Sequence, residues 1–192
     1  MVINPGDVLA AWMIPRPQDE QMNNLLSLVL GLCIARFLQG LGAEIKIKWP
    51  NDLIHQEKKA GGILIEEKRG QLVAGIGLNL AGSPDPSGMR EQSPVEPGHL
   101  GEPFRSCTSP ELWAQLVYTA HIWYEDLLCN FSLIDFILEI NSNLWLMGEK
   151  VRVLSSTETV EGVLMGIGQH GGIILETSTG RLELTQGSPG PC

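Results

Sequence analysis

Residues 43–82 read AEIKIKWPNDLIHQEKKAGGILIEEKRGQLVAGIGLNLAG, and this segment limits the possible folds more than any other. Over 43–49 the residues alternate, with Ile45, Ile47 and Trp49 on one face and Lys46 and Lys48 on the other. Pro50 ends that run, because it has no N–H to donate to a neighbouring strand. ILIEE at 63–67 and LVAGIGLNLAG at 72–82 are two further extended runs, joined by the tight turn KRGQ. Links this short cannot carry a parallel crossover, so the three strands are expected to form an antiparallel meander. The polar stretch DLIHQEKKAGG reads as a loop between the first two.

The flanking segments supply helices. DVLAAWMI at 7–14 reads as a short strand. In NNLLSLVLGLCIARFLQGLG, Leu26, Val29, Leu30, Cys33, Ile34, Phe37 and Leu38 recur at helical spacing, with Asn23 or Asn24 as cap and Gly42 as stop. Residues 82–109 are rich in Pro, Gly and Ser and read as a long loop. A helix follows from Ser109, its expected cap, with Pro110 in the first turn, and FSLIDFILEINSNLWLM reads as a second helix. Gly148 marks a change of character. GEKVRVLSSTETVEGVLMGIGQHGGIILETSTGRLELTQG consists of short alternating strands and Gly-containing turns, the pattern of a small antiparallel barrel. The tail SPGPC reads as disordered. The expectation is an α+β fold, with a mixed or antiparallel sheet flanked by helices over 1–147 and a small β-barrel over 148–192.

Composition narrows function mainly by exclusion. The formal net charge is −9 and the pI about 4.9, which argues against a broadly basic nucleic-acid surface. The four cysteines lack C-x-x-C spacing, so neither a zinc site nor a disulfide framework is indicated, and a reducing compartment fits. No uninterrupted apolar run reaches the ~18 residues of a membrane span, and MVINPGDVLAAWM is not a basic segment followed by an apolar one. A soluble cytoplasmic protein is expected.

Three features carry chemistry. In GIGLN, Ile76, Leu78 and Leu80 share one strand face, while Gly75, Gly77 and Asn79 share the other. Glycines within a strand mark a close approach, either by a packed helix or by a ligand. Lys48 stands at a strand end. It is either a solvated edge residue or a cation that holds a carboxylate or phosphate through charge-assisted bonds. Asn51 and Asp52 follow Pro50 and form either an ordinary turn or a polar corner for a nucleotide or metal. The histidines are scattered, and His55 reads as a solvated loop residue. Glu66 and Glu67 read as a charged hairpin end rather than an acid–base pair.

Taken together, K-W-P-N-D, then K-K-x-G-G-[apolar]₃-E, then G-x-G-x-N resembles the biotin protein ligase family over roughly residues 24 to 80. The closing segment is similar to the small SH3-like barrel of these ligases. The resemblance implies a class II synthetase-like catalytic domain. It also implies biotin and ATP, with Mg²⁺, as substrates for biotinyl-AMP formation and transfer of biotin to a lysine of a carboxylase's biotin carboxyl carrier domain. It assigns Lys48 to the biotin carboxylate and phosphate, and Asn51 and Asp52 to the nucleotide and Mg²⁺ corner. Lys59 becomes a second basic position, Gly62, Gly75 and Gly77 the backbone beneath biotin and the adenylate, and Asn79 the adenine end.

The family's Gly- and Arg-rich loop, G-R-G-R-x-G-R, occurs nowhere in the sequence; Arg16 in PRPQ does not match it. A late start of the sequence, a natural fragment completed by another chain, or a degenerate homologue would each explain this. Weak activity alone is therefore expected, as is self-association, as a homodimer or by pairing through an open sheet edge. The alternative reading is a non-catalytic binding or regulatory fragment of the same family. A lipoyl-attaching relative is a more distant possibility. No DNA binding is expected, since no helix-turn-helix module precedes these residues.

Overall fold

The computed structural model describes residues 7–82, 95–102, 104, 108–154 and 159–192. The expected 82–109 loop therefore lies largely outside the described residues. Among the described residues, two antiparallel sheets and four helices make an α+β fold. The first sheet has the order β1-β5-β4-β3-β2, with β1 Val8–Ile14, β2 Ile45–Lys48, β3 Asp52–His55, β4 Lys58–Lys68 and β5 Gln71–Leu78. All its strand pairings are antiparallel, so the antiparallel half of the expected "mixed or antiparallel" sheet is the one found.

β3 corrects the sequence reading, which made DLIHQEKKAGG a loop. Leu53 and Ile54 are buried, and Gln56 and Glu57 turn the chain at φ 48° and 61°. Paired positive φ values make the tight hairpin turn that matches strand twist, here without the Gly or Asn that usually announces it. His55 is thereby corrected from a solvated residue to a buried one, its Nδ1 3.0 Å from the Glu44 carbonyl.

Helices cover one face of this sheet. α1 (Glu20–Asn24) is capped by Asp19, whose carboxylate accepts from Met22 N–H at 2.8 Å; α2 (Leu26–Gly40) follows and ends before Gly42 at φ 94°. The expected Asn23 or Asn24 cap is not found: both residues end α1, and α2 has Leu25 at its N-cap with no side-chain cap bond. Gly31 of α2 faces Ile47 and Ile63, which fixes the covered side of the sheet. α3 (Ser109–Asn130) starts one residue earlier than expected: Thr108, not Ser109, caps it and forms a reciprocal capping box with Glu111. Its Tyr124 hydroxyl donates to the Pro15 carbonyl at 2.6 Å, and its ring packs edge-on against Trp12 of β1. α4 (Leu133–Asn143) joins α2 through the Arg36–Glu139 ion pair. No helix among the described residues is long and apolar enough to cross a membrane.

The second sheet has the order β10-β6-β7-β8-β9, with β6 Lys150–Leu154, β7 Thr159–Ile167, β8 Ile173–Thr177, β9 Gly180–Leu184 and β10 Ser188–Pro191. β10 corrects the disordered tail. Its register on β6, from Ser188 opposite Leu154 to Pro191 opposite Val151, puts the last residues into the sheet edge. Proline tolerates this position because an edge strand need not donate outward. No β9–β10 pairing closes the ring among the described residues.

The two sheets meet at the W-P-N corner. The Trp49 indole donates to the Gly171 carbonyl at 2.7 Å, and Asn141 accepts from Ile167 N–H at 2.9 Å. Trp145 N–H donates to the Ile47 carbonyl at 2.8 Å, which covers the outer edge of β2.

Candidate functional site

Register places the chemistry in rows across the uncovered face of the first sheet. Lys48 lies opposite Asp52, Asp52 opposite Gly62, Gly62 opposite Gly77, and Gly77 opposite Leu9. The next row runs Leu64, Gly75, Ala11. Directly paired residues share a face, so these strands build one surface with a cation at one end and apolar residues at the other. Leu9, Met13 and Leu64 are 51%, 67% and 60% exposed there, whereas Ile63, Ile76 and Leu78 are buried beneath the helices.

The glycines leave that surface bare. A methyl group on Gly77 would meet its nearest neighbour, Leu9 Cδ1, at 3.9 Å, and one on Gly75 would meet the Leu64 carbonyl at 3.6 Å. Both are ordinary contact distances, so no helix among the described residues packs against this pleat. Of the two readings left open by GIGLN, the packed helix finds no counterpart among the described residues. Gly62 is tighter, with Asp52 Oδ1 at 3.4 Å and Lys59 Cε at 3.6 Å from such a methyl. Gly61 has a different reason to be glycine. It faces the helix side, where a methyl would sit 2.6 Å from the Gly77 carbonyl and 2.8 Å from Leu78 Cδ2.

Lys48 is not a solvated edge residue: it is 3% exposed. Its Nζ donates to Ser188 Oγ at 2.8 Å and to Asp52 Oδ2 at 3.3 Å, while Lys59 pairs with the other Asp52 oxygen. Burial pushes the Lys48 amine below its usual value of 10.5, Asp52 opposes that shift, and the Lys59 charge adds to it. One carboxylate between two ammonium groups leaves a local excess of positive charge. Such a corner attracts carboxylates and phosphates.

The two amides are structural as well as polar. Asn51 Nδ2 donates to the Ile63 carbonyl at 2.8 Å and Ile63 N–H donates to the Asn51 carbonyl at 2.9 Å, locking the corner onto β4. Asn79 Nδ2 donates to the Gly98 carbonyl at 2.8 Å and reaches the Lys59 carbonyl at 3.4 Å, and its own carbonyl accepts from Leu100 N–H at 2.8 Å. Asn79 thus ties residues 96–101 to the end of β4 beside Lys59. Asn79→Ala is expected to cost about 1–2 kcal/mol through the lost bonds and to expose 96–101 to limited proteolysis. Unchanged cleavage there would show that the amide does not hold the segment.

Glu67 pairs with Arg16 at 2.7 Å, which makes it a charged hairpin end as expected. Asp52 is committed to two cations, and the described residues contain no group of three or more His, Cys, Asp or Glu able to hold a metal. The donor set therefore fits a metal that arrives already bound to phosphates, not one caged by side chains. One residue of this site escaped the sequence reading: Ser188 lay in a tail that gave no strand signal.

Comparison with known proteins agrees with this geometry. Residues 1–83 match the model of the biotin/lipoate A/B protein ligase family. A biotin–[acetyl-CoA-carboxylase] ligase of Paracoccus denitrificans is 30% identical over 193 residues, covering 93% of this chain and 78% of that protein. The bifunctional ligase/repressor BirA of Escherichia coli K12 is 48% identical over 62 residues, 29% of this chain and 19% of that one. The structure of a biotin protein ligase from Aquifex aeolicus in complex with biotin and ATP superposes with a TM-score of 0.76 at 25% identity, covering 96% of this chain and 77% of that one. From the bare sheet face and its buried lysine to a relative matched along most of its length, these observations agree: the chain belongs to the biotin protein ligase family, whose members are ligases.

Proposed function

We propose that the chain binds biotin and ATP on the open face of the first sheet, forms biotinyl-AMP, and passes the biotinyl group to a lysine of a carboxylase's biotin carboxyl carrier domain. The observation that carries this reading is the row from Lys48 to Gly77, a buried cation leading onto an uncovered, side-chain-free pleat.

The chemistry follows from charge. A biotin carboxylate oxygen attacks the α-phosphorus of ATP and pyrophosphate leaves. Both reactants are anionic, so they repel each other unless a fixed cation stands between them. Lys48 takes that place, desolvated and pre-oriented, where an electrostatic contact is strongest. Lys59 supports it from the other side of Asp52. Gly62, Gly75 and Gly77 let the acyl chain and adenylate lie against backbone. Asn51 and Asp52 hold the corner, and Asn79 fixes the segment bordering the adenine end. Mg²⁺ bound to the ATP phosphates would offset their charge. In the second step the carrier lysine's neutral amine attacks the acyl carbonyl, AMP leaves and the nitrogen loses a proton. No enzyme-bound acyl group is needed, so positioning supplies much of the rate.

Within this reading residues 1–147 act as the catalytic-type domain and 148–192 as the small SH3-like module. The bulge between Leu164 and Gly166 supports the curvature such a module needs. The outer edge of β1 offers a route to homodimers, the acidic charge disfavours DNA, and the reaction belongs in the cytoplasm, where carboxylases use biotin. Since no G-R-G-R-x-G-R loop lies in the sequence, turnover by the isolated chain is expected to be slow. Incubation with biotin, ATP and Mg²⁺ should give biotinyl-AMP detectable by mass spectrometry, and lipoate in place of biotin should give none. Complete absence of adenylate, with no biotin binding in calorimetry, would refute the proposal.

A further inference from the structure

Ser188 is 140 residues from Lys48 in sequence, yet it makes the shorter of the two hydrogen bonds from that amine, 2.8 Å against 3.3 Å to Asp52. Its place is tightly determined. Gly187 precedes it at φ 132°, where a methyl would lie 2.7 Å from Val153 Cγ1 and 3.0 Å from the Leu154 carbonyl. Only glycine brings the chain this close to β6, and the register then sets Ser188 opposite Leu154. The second sheet thus delivers one hydroxyl to the cation of the first.

We propose that Ser188 is a positioning residue for Lys48: its hydroxyl accepts from Nζ and keeps the ammonium aimed at the open sheet face. The proposal rests on the reading of Lys48 as the cation of an acyl-adenylate seat. A hydroxyl suits this task because it is neutral. It fixes direction without cancelling charge, whereas Asp52 alone would draw the amine into an ion pair. Asp52 also shares itself with Lys59, which weakens its hold on Lys48. An ammonium has three donors. With one on Ser188 and one toward Asp52, the third remains for a carboxylate or phosphate oxygen.

The test compares Ser188→Thr with Ser188→Val, side chains of nearly equal shape that differ by the hydroxyl. A role in packing alone predicts that both behave alike. The full chain is titrated with a non-hydrolysable sulfamoyl analogue of biotinyl-AMP, and separately the ligand-free protein is labelled with limiting acetic anhydride, modified lysines being located by mass spectrometry. Ser188→Val is expected to weaken analogue binding about tenfold and Ser188→Thr by less than about twofold. Lys48 labelling should rise several-fold in the valine variant alone, with other lysines unchanged. Equal affinity and equal labelling in the two variants would overturn the proposal. If even the wild-type protein fails to bind the analogue, the ligand reading of Lys48 falls. The labelling then still decides the tether: selective exposure of Lys48 in the valine variant supports it, and equal labelling removes it.

Discussion

Lys48→Met lowers biotinyl-AMP formation by about two to three orders of magnitude, the expected loss when one pre-oriented group facing developing negative charge is removed. The same substitution leaves the thermal midpoint unchanged or raises it. Taking an ammonium out of water is costly, and Lys48 is 3% exposed with only a 3.3 Å contact to its carboxylate. Removing one partner of a buried pair usually strands the other, but Asp52 keeps Lys59. Methionine fills a similar volume without charge, so a gain of about 1 kcal/mol is reasonable, or roughly 2–4 °C.

The pH dependence has a definite sign. The folded-state pKa of Lys48 is lowered, so the unfolded chain binds more protons between that value and 10.5. Below the lowered value both states carry the charge and the full penalty is present. As pH rises through the lowered pKa the wild-type protein regains stability, and its deficit relative to Lys48→Met shrinks. Thermal melts at neutral and alkaline pH, alongside single-turnover adenylate assays, check both halves. A variant that melts several degrees lower would mean Lys48 is chiefly a structural ion-pair partner.

Gly61→Ala and Gly77→Ala, on adjacent strands, are expected to fail in opposite ways. At Gly61 the methyl collides with backbone at 2.6 Å, and the sheet must shift to admit it. The expected cost is about 2–4 kcal/mol, or roughly 6–12 °C of thermal midpoint. At Gly77 the methyl makes only an ordinary 3.9 Å contact with Leu9 Cδ1, so stability holds or rises slightly, as alanine restricts the unfolded chain more than glycine does. Ligand binding suffers instead, because the added group occupies the pleat. Calorimetric titration with the biotinyl-adenylate analogue and parallel melts separate the cases. If Gly77→Ala binds the analogue normally, the seat lies elsewhere.

How much of this was visible in the residues depends on the element. The alternation in AEIKIKW, the double glycine of β4 and the bare face of β5 were legible because strand period assigns faces directly. Lys48 itself was ambiguous: alternation made it a face residue, but its amine meets Ser188 of the second sheet, a contact local sequence cannot report. β3 was missed because Gln56 and Glu57 make a turn their residue types do not advertise. β10 was missed for the opposite reason, since SPGP carries the residues of a breaker and becomes a strand only by lying along β6. The separate roles of Gly61 and Gly62 needed coordinates, because one residue of register decides whether a glycine faces the core or the ligand side.

The W-P-N corner has one more implication. Trp49 and Lys48 are neighbours in the chain, and each reaches across to the second sheet, one through its indole and the other through its amine. Rocking of one half against the other therefore moves the charged tip directly, by a lever two residues long. On the proposed Ser188 tether, the small C-terminal sheet would act less as an appendage than as the far jaw of a vice that sets where the positive charge points.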